Sequence, residues 1–339
     1  MKIHFSKFLI IILSLIFNVS EANIPIDIKQ DNVARFIDEM VEDHKFDRQY
    51  LREILSKAKR KESIIKLISA PAERTLNWSD YRRIFITDER IKIGVNFWKD
   101  NREMLERVER ETGVPVEILV GIIGVETYFG RITGNDRVID ALTTLAFEYP
   151  PRSVFFKKEL KHFLILTREE GLDPLVPMGS YAGAMGRPQF MPSSFRAYAI
   201  DFSGNGKRDI WGDWADVSGS IANYFLAHKW RTDEEVTVRA SLGKNWKGKA
   251  PKPSNTLKIS STLESLRDKG VHFSTSLTDK DKGELLTFKG DNGIEHWIGF
   301  HNFFVITKYN HSVMYALAVH QLGHLISSKH SDEYGRNEM

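Results

Sequence analysis

The chain of 339 residues contains no cysteine. That absence excludes disulfide cross-links and a lipid-modified N-terminal Cys. A strong excess of one charge is also missing. Lys and Arg number 48 against 45 Asp and Glu, a formal net charge of +3, which gives no support to nucleic-acid binding through phosphate neutralisation. A mild basic excess still suits a polyanionic surface. No internal repeat is found, and the N-terminal apolar run, Phe8 to Phe17, falls well short of the roughly 20 residues that span a bilayer as a helix. With Lys2 and Lys7 ahead of that run and Ser20-Glu21-Ala22 before Asn23, it reads instead as a secretory signal peptide over residues 1–22. The mature chain is then expected to be soluble outside the cytoplasm. The composition, 42% hydrophobic and 27% charged, is that of an ordinary globular protein long enough for about two domains.

The patterning predicts a mainly α fold with a small β part. Residues 23–101 carry helical stripes: Val33, Phe36, Ile37, Met40 and Val41, then Tyr50, Leu51, Ile54 and Leu55 after a cap at Asp47. Pro71 and the aromatics Trp78, Tyr81 and Phe85 precede a further amphipathic run through Trp98, and packing is the expected role of these rings. Residues 102–235 read as a catalytic core. Residues 236–302 shift to a small β-containing domain, with short runs at Leu285 to Phe288 and His296 to Phe300. A helix over 303–325 returns to the core, and 326–339 is a polar tail expected to fray.

Within the core, Gly121 to Gly130 (GIIGVETYFG) holds one carboxylate, Glu126, in apolar company. Pro115 opens the helix, Gly130 is expected to end it, and Val116, Ile118, Leu119, Val120, Ile122, Ile123 and Val125 make it apolar on nearly every face, as a core helix should be. Glu126 falls on a buried stripe near the C-terminus. Desolvation and the negative end of the helix dipole both disfavour its ionised form. A carboxyl kept protonated near neutral pH is a general acid; a structural Glu bonded to Arg or to backbone N–H groups is the alternative. Glu117, in the first turn and on the opposite side, is expected to be an ordinary surface residue.

Two further stretches carry chemistry. Gly179 to Phe195 (GSYAGAMGRPQFMPSSF) combines Ser180 and Gln189 with small residues that let backbone and ligand approach closely. Asp201, Ser203, Asn205, Lys207 and Asp209 alternate, with Gly206 sixth, as in a calcium loop. Position twelve is Gly212 instead of Glu, so Asp213 or Asp216 must supply the closing carboxylate in a lengthened loop. A turn whose Asp and Asn side chains satisfy their own backbone would look similar.

Taken with Arg137 to Phe147 (RVIDALTTLAF), Tyr149-Pro150 with Arg152, and Tyr309-Asn310-His311-Ser312 followed by Tyr315-Ala316, these motifs resemble the lytic transglycosylase B family over roughly Trp78 to Leu322. The resemblance implies a lysozyme-like helical core and cleavage of the bond between N-acetylmuramic acid and N-acetylglucosamine in peptidoglycan. By it, Glu126 is the catalytic acid and base, and Arg152, Ser180, Gln189, Tyr309, Asn310 and Tyr315 line the glycan cleft. It also implies a structural calcium ion on Asp201, Ser203, Asn205, the Lys207 carbonyl, Asp209 and Asp216. No organic cofactor is expected. Peptidoglycan strands are the expected partner and cell-wall synthesis proteins are candidate companions, with a monomeric, periplasmic enzyme and no nucleic acid.

The chemistry is intelligible without the family. No second carboxylate in a comparably apolar setting accompanies Glu126, whereas a usual glycosidase needs two; Asp136, Asp140 and Glu148 are the nearest in sequence. The substrate's own N-acetyl oxygen and C6 hydroxyl can supply what is missing, because intramolecular attack has a high effective concentration. A 1,6-anhydromuramic end results. A hydrolytic muramidase and a non-catalytic peptidoglycan-binding module are the alternatives.

Overall fold

The computed structural model describes residues 24–69, 76–249 and 251–334. The expected signal peptide and Pro71 therefore lie outside the described residues. In chain order the helices of the first half are α1 (Asp31–His44), α2 (Arg48–Ser56), α3 (Glu62–Ser69), α4 (Trp78–Phe85), α5 (Asp88–Asp100), α6 (Arg102–Thr112) and α7 (Val116–Thr127). They continue as α8 (Val138–Glu148), α9 (Ser153–Glu169), α10 (Pro192–Tyr198), α11 (Trp214–Ala227), α12 (Leu263–Asp268), α13 (His301–Tyr309) and α14 (Val313–Tyr334). The strands are β1 (Ile24–Pro25), β2 (Lys59–Arg60), β3 (Asp136–Arg137), β4 (Met178–Gly179), β5 (Thr237–Leu242), β6 (Ser261–Thr262), β7 (Val271–His272), β8 (Lys282–Gly290) and β9 (Gly293–Gly299). The fold is mainly α with a small β part, as the patterning predicts, and no helix among the described residues is long and apolar enough to cross a membrane.

The described residues pack as two units, one within 76–129 and 221–334, the other within 24–69 and 130–220. Each unit draws on separated stretches of the chain, whereas the sequence suggests consecutive segments 23–101 and 102–235. Helix α8 supplies the physical reason. It is buried along almost its whole length, and its Asp140 and Thr144 accept the backbone N–H groups of Lys59 (2.8 Å) and Lys61 (3.1 Å). Residues 24–69 therefore fold onto α8 and α9 instead of forming a separate body. Phe36 of α1 meets Phe147 of α8 edge-on at 5.6 Å, and Asp47 caps α2 by accepting the N–H of Tyr50 at 2.7 Å. Two-stranded ribbons β1–β2 and β3–β4 complete this unit.

The other unit is built on α7 and α14. Ten of the twelve residues of α7 are buried, and glycines let the two helices touch backbone to backbone. A Cβ on Gly121 would lie 2.5 Å from the Val319 carbonyl oxygen, and one on Gly323 would lie 2.0 Å from the Glu117 carbonyl oxygen. This approach half-buries Glu117, against the expectation of an ordinary surface residue, and desolvation raises its pKa. Helix α7 ends at Thr127, ahead of Gly130: Tyr128 takes the left-handed conformation (φ 51°, ψ 49°) and Phe129 follows at φ 59°. Both are rarely adopted by residues other than glycine.

An antiparallel five-stranded sheet, in the order β6-β8-β9-β5-β7, belongs to the same unit. Leu263, Leu266, Val271, Ile298 and Phe300 form its core, and the hairpin β8–β9 closes with Gly290 opposite Gly293. The segment 303–325 is not one helix. Asn310 is extended (φ −141°, ψ 128°) and separates α13 from α14. Nor does the tail fray from residue 326: α14 runs on to Tyr334, held by stacking of His330 on Trp98 at 4.9 Å and by Lys99 over the Tyr334 ring at 5.1 Å.

Candidate active site

Glu126 sits on the last turn of α7, keeping only a small solvent-accessible area. Burial pushes its carboxyl up to about 7, and the hydroxyl of Tyr315 opposes that shift by donating a hydrogen bond to Oε1 at 2.5 Å. Tyr315, in the first turn of α14, is fully buried. Its ring stacks on that of Tyr309, at the end of α13, with centroids 6.5 Å apart and planes 10° apart. Tyr224 of α11 meets Tyr309 edge-on at 4.9 Å and donates its hydroxyl to the Lys308 carbonyl at 2.6 Å. Desolvation first, and then the charge of Glu126, hold both Tyr309 and Tyr315 well above the usual tyrosine range. These hydroxyls remain protonated donors at any pH the protein meets.

The extended residue between α13 and α14, Asn310, is buried. One unit thus brings together Glu126, Tyr309 and Tyr315, with Asn310 next in the chain after Tyr309. Tyr315 acts on Glu126, so it is a hydrogen-bond donor to the carboxyl more than a platform for a sugar ring. The family resemblance pointed to the tyrosine but not to this contact.

The other unit holds Ser180, Gln189 and Arg152. Ser180 is buried in a tight turn: its hydroxyl accepts the Ala184 N–H at 3.1 Å, and its own N–H donates to the Ala184 carbonyl at 2.9 Å. Gln189 sits at φ 53°, and its Nε2 donates to the carbonyls of Thr133 (3.0 Å) and Gly186 (2.8 Å). Its Oε1 is buried without a partner, an acceptor facing no donor. Ser180 and Gln189 belong to one bridged turn in which Met185 pairs with both Gly179 and Phe190. The guanidinium of Arg152 lies over the rings of Phe155 (4.4 Å) and Phe156 (5.1 Å), and desolvation lowers its pKa.

The other carboxylates near Glu126 in sequence are engaged elsewhere. Asp136 pairs with Lys61 at 2.5 Å, Asp140 with Arg137 at 2.8 Å, and Glu148 with Arg60 at 3.6 Å. Glu159, a buried residue that patterning did not single out, accepts the Ser193 N–H (2.9 Å) and hydroxyl (2.8 Å) at the start of α10. That role is structural.

In the loop 201–216, Asp201 accepts backbone N–H groups from Gly204 (2.7 Å), Asn205 (3.0 Å) and Gly206 (2.7 Å). Asn205 accepts the N–H of Lys207, and Asp209 those of Trp211 and Gly212. The Ser203 hydroxyl donates to Asp201. Asp216 is fully buried, accepting N–H groups from Ser203 (2.9 Å) and Asp209 (2.8 Å), with no cation beside it among the described residues. No group of three His, Asp or Glu side chains converges as metal ligands among the described residues. An ion held by Asp201, Asp209 and Asp216 would require these carboxylates to turn from the backbone N–H groups they accept. Asp213 instead accepts the N–H groups of Ala215 and Asp216 at the start of α11.

The family model described as transglycosylase SLT domain matches residues 29–324. The chain is 44% identical over 305 residues to membrane-bound lytic murein transglycosylase B of Escherichia coli (strain K12), covering 87% of this chain and 82% of that protein. Among solved structures, soluble lytic transglycosylase SltB1 from Pseudomonas aeruginosa is 49% identical and superposes with a TM-score of 0.82 over 87% of this chain and 98% of its own. Escherichia coli lytic transglycosylase Slt35 in complex with calcium is 43% identical, with a TM-score of 0.82 over 91% of this chain and 96% of its own.

Proposed function

The chain belongs to the transglycosylase SLT family and is a lytic murein transglycosylase; from that premise we propose that Glu126 is its single acid and base. The observation that carries this reading is the Glu126 carboxyl itself, pushed up to about 7 by desolvation and accepting a hydrogen bond from the neutral Tyr315 hydroxyl. A group with a pKa near the working pH can give up a proton and take it back within one cycle.

In the first step Glu126 donates its proton to the glycosidic oxygen as the bond from C1 of N-acetylmuramic acid breaks. The N-acetyl oxygen of that sugar stabilises the cationic C1. In the second step its C6 hydroxyl oxygen bonds to C1, and the hydroxyl proton passes to the Glu126 carboxylate. The acid is restored and no water is consumed. The Tyr315 hydroxyl supports the interval between the steps, because its hydrogen bond favours the charged form. The unpaired Oε1 of Gln189 and the amide of Asn310 suit the N–H and C=O of acetamido groups. Ser180 suits a sugar hydroxyl, Tyr309 a sugar face, and Arg152 a lactyl or peptide carboxylate.

A structural calcium ion in the 201–216 loop belongs to the same proposal. Side-chain oxygens of Asp201, Ser203, Asn205, Asp209 and Asp216 and the carbonyl of Lys207 would hold it, with Asp216 the buried carboxylate of the set. The ion would supply structural cross-linking of the loop and no chemistry at C1. Action on glycan strands outside the cytoplasm, in the periplasm, completes the reading.

Mass analysis of muropeptides released from purified peptidoglycan tests it. The wild-type protein should release anhydro-ended products, lighter by one water than hydrolytic ones, and Glu126→Gln should release none. Hydrated ends would establish a muramidase instead, and undiminished release by the variant would remove Glu126 from the mechanism.

A further inference from the structure

A cavity of about 870 Å³ lies in the unit built on α7 and α14, lined by α4, the β8–β9 hairpin, β5 and the middle turns of α14. Glu126 is not among its lining residues. Along α14, Tyr315, Val319 and Leu322 face α7, through Glu126, Gly121 and Gly124 respectively. At 100° per residue His320, Gln321 and His324 point the other way, so the cavity occupies the face of α14 opposite the catalytic carboxyl.

Its lining has the character of a ligand site. The volume is within the usual range for small-molecule pockets. Trp78 and Trp297 are both buried, and both indole N–H groups lack a hydrogen-bond partner, as does Nδ1 of His320. Buried donors left unpaired are uncommon and costly in native proteins. The charges around the cavity balance. Among the lining residues Arg82 and Arg239 stand against Asp291 and Glu295; Arg239 pairs with Glu295 at 2.5 Å, Arg82 donates to Gln321 at 3.0 Å, and Asp291 is held by Arg83 at 2.5 Å and by the Ser79 hydroxyl. Burial keeps His320 neutral at physiological pH by lowering it to about 4. Mixed donors and acceptors without net charge, set among indole rings, match a neutral polyhydroxylated ligand that both gives and accepts hydrogen bonds.

We propose that this cavity is a second saccharide-binding site, which takes a neutral N-acetylated pyranose unit of the glycan strand on the face of α14 away from Glu126. It rests on glycan being the substrate and adds an anchoring point remote from the bond that is cut. The two indole nitrogens each expose under 1 Å², so binding includes a side-chain shift that opens them to a sugar oxygen.

The test follows the indole N–H resonances of the ¹⁵N-labelled full chain carrying Glu126→Gln, assigned through Trp78→Phe and Trp297→Phe, during titration with di-N-acetylchitobiose. The expected result is a saturable shift of both resonances, with affinity at that site about tenfold weaker in Trp297→Phe, which replaces the indole by a smaller aromatic ring and loses its donor. Indole resonances that stay fixed while signals around Tyr309 and Tyr315 move would overturn the proposal. So would a response to free glutamate and none to the sugar. Release of anhydro products by the chain with Glu126 intact is measured separately, so a silent cavity leaves the catalytic assignment standing, and an active Glu126→Gln protein would refute that assignment whatever the cavity does.

Discussion

Replacing Glu126 by Gln should change the pH dependence of stability as well as abolish turnover. The folded protein holds this carboxyl proton up to about 7, against an ordinary value of 4.5. A raised acid stabilises the fold at low pH, where both states are protonated. Its contribution is lost progressively from pH 4.5 to 7, as the unfolded chain ionises first, and levels off above. Integrating that titration difference gives a loss of about 2.5 kcal/mol between pH 5 and pH 8, an upper figure because the side chain keeps some solvent contact. Glutamine does not ionise, and its carbonyl can still accept the Tyr315 hydroxyl. Urea unfolding of both proteins at the two pH values, followed by fluorescence, should therefore show the variant gaining about 1–2.5 kcal/mol relative to wild type on going from pH 5 to pH 8. An unchanged difference between the two proteins would refute the buried, proton-holding carboxyl on which the mechanism stands.

Removing the Tyr315 hydroxyl with Tyr315→Phe takes away the one hydrogen bond that lowers the Glu126 pKa. The limb of the kcat profile set by Glu126 should move to higher pH and kcat should fall about tenfold to a hundredfold with KM little changed; a limb that stays put would contradict the contact's role. Gln189→Ala should cost less turnover than Glu126→Gln, since it loses an orienting amide and not the proton, and equal loss in two folded variants would reverse that ranking. Calcium should raise the melting temperature and chelator lower it, with Asp216→Asn blunting the response; identical melts would argue for a loop held by its own backbone bonds.

Much of this arrangement was legible in the residues. A lone carboxylate in the largely apolar stretch 121–130 suggests a perturbed acid, with a structural Glu as the alternative, and desolvation does raise Glu126, to about 7. What patterning does not convey is distance through the chain. The hydroxyl that tunes Glu126 comes from 189 residues away, and no local periodicity encodes that meeting. The same limit accounts for Glu117, whose exposure depended on where Gly323 of α14 would cross. It accounts for the long C-terminal helix too: its last turns are polar, and Trp98 and Lys99 of α5 meet them. The segment 23–101 reads as one helical body because its stripes are continuous in character. Its division is set by Asp140 and Thr144, residues whose partners cannot be guessed from spacing.

The bare crossing of α7 over α14 has a further meaning for the chemistry. With main chain against main chain at Gly121 and Gly323, the gap between acid and phenol is gauged by the thickness of the polypeptide itself, which rotamer changes in a softer, side-chain-padded seam could not disturb. A single added methyl at either crossing would act as a shim, prising Tyr315 off its acid from several residues away. Proton affinity in this enzyme is thus machined into the scaffold at places that no substrate ever touches.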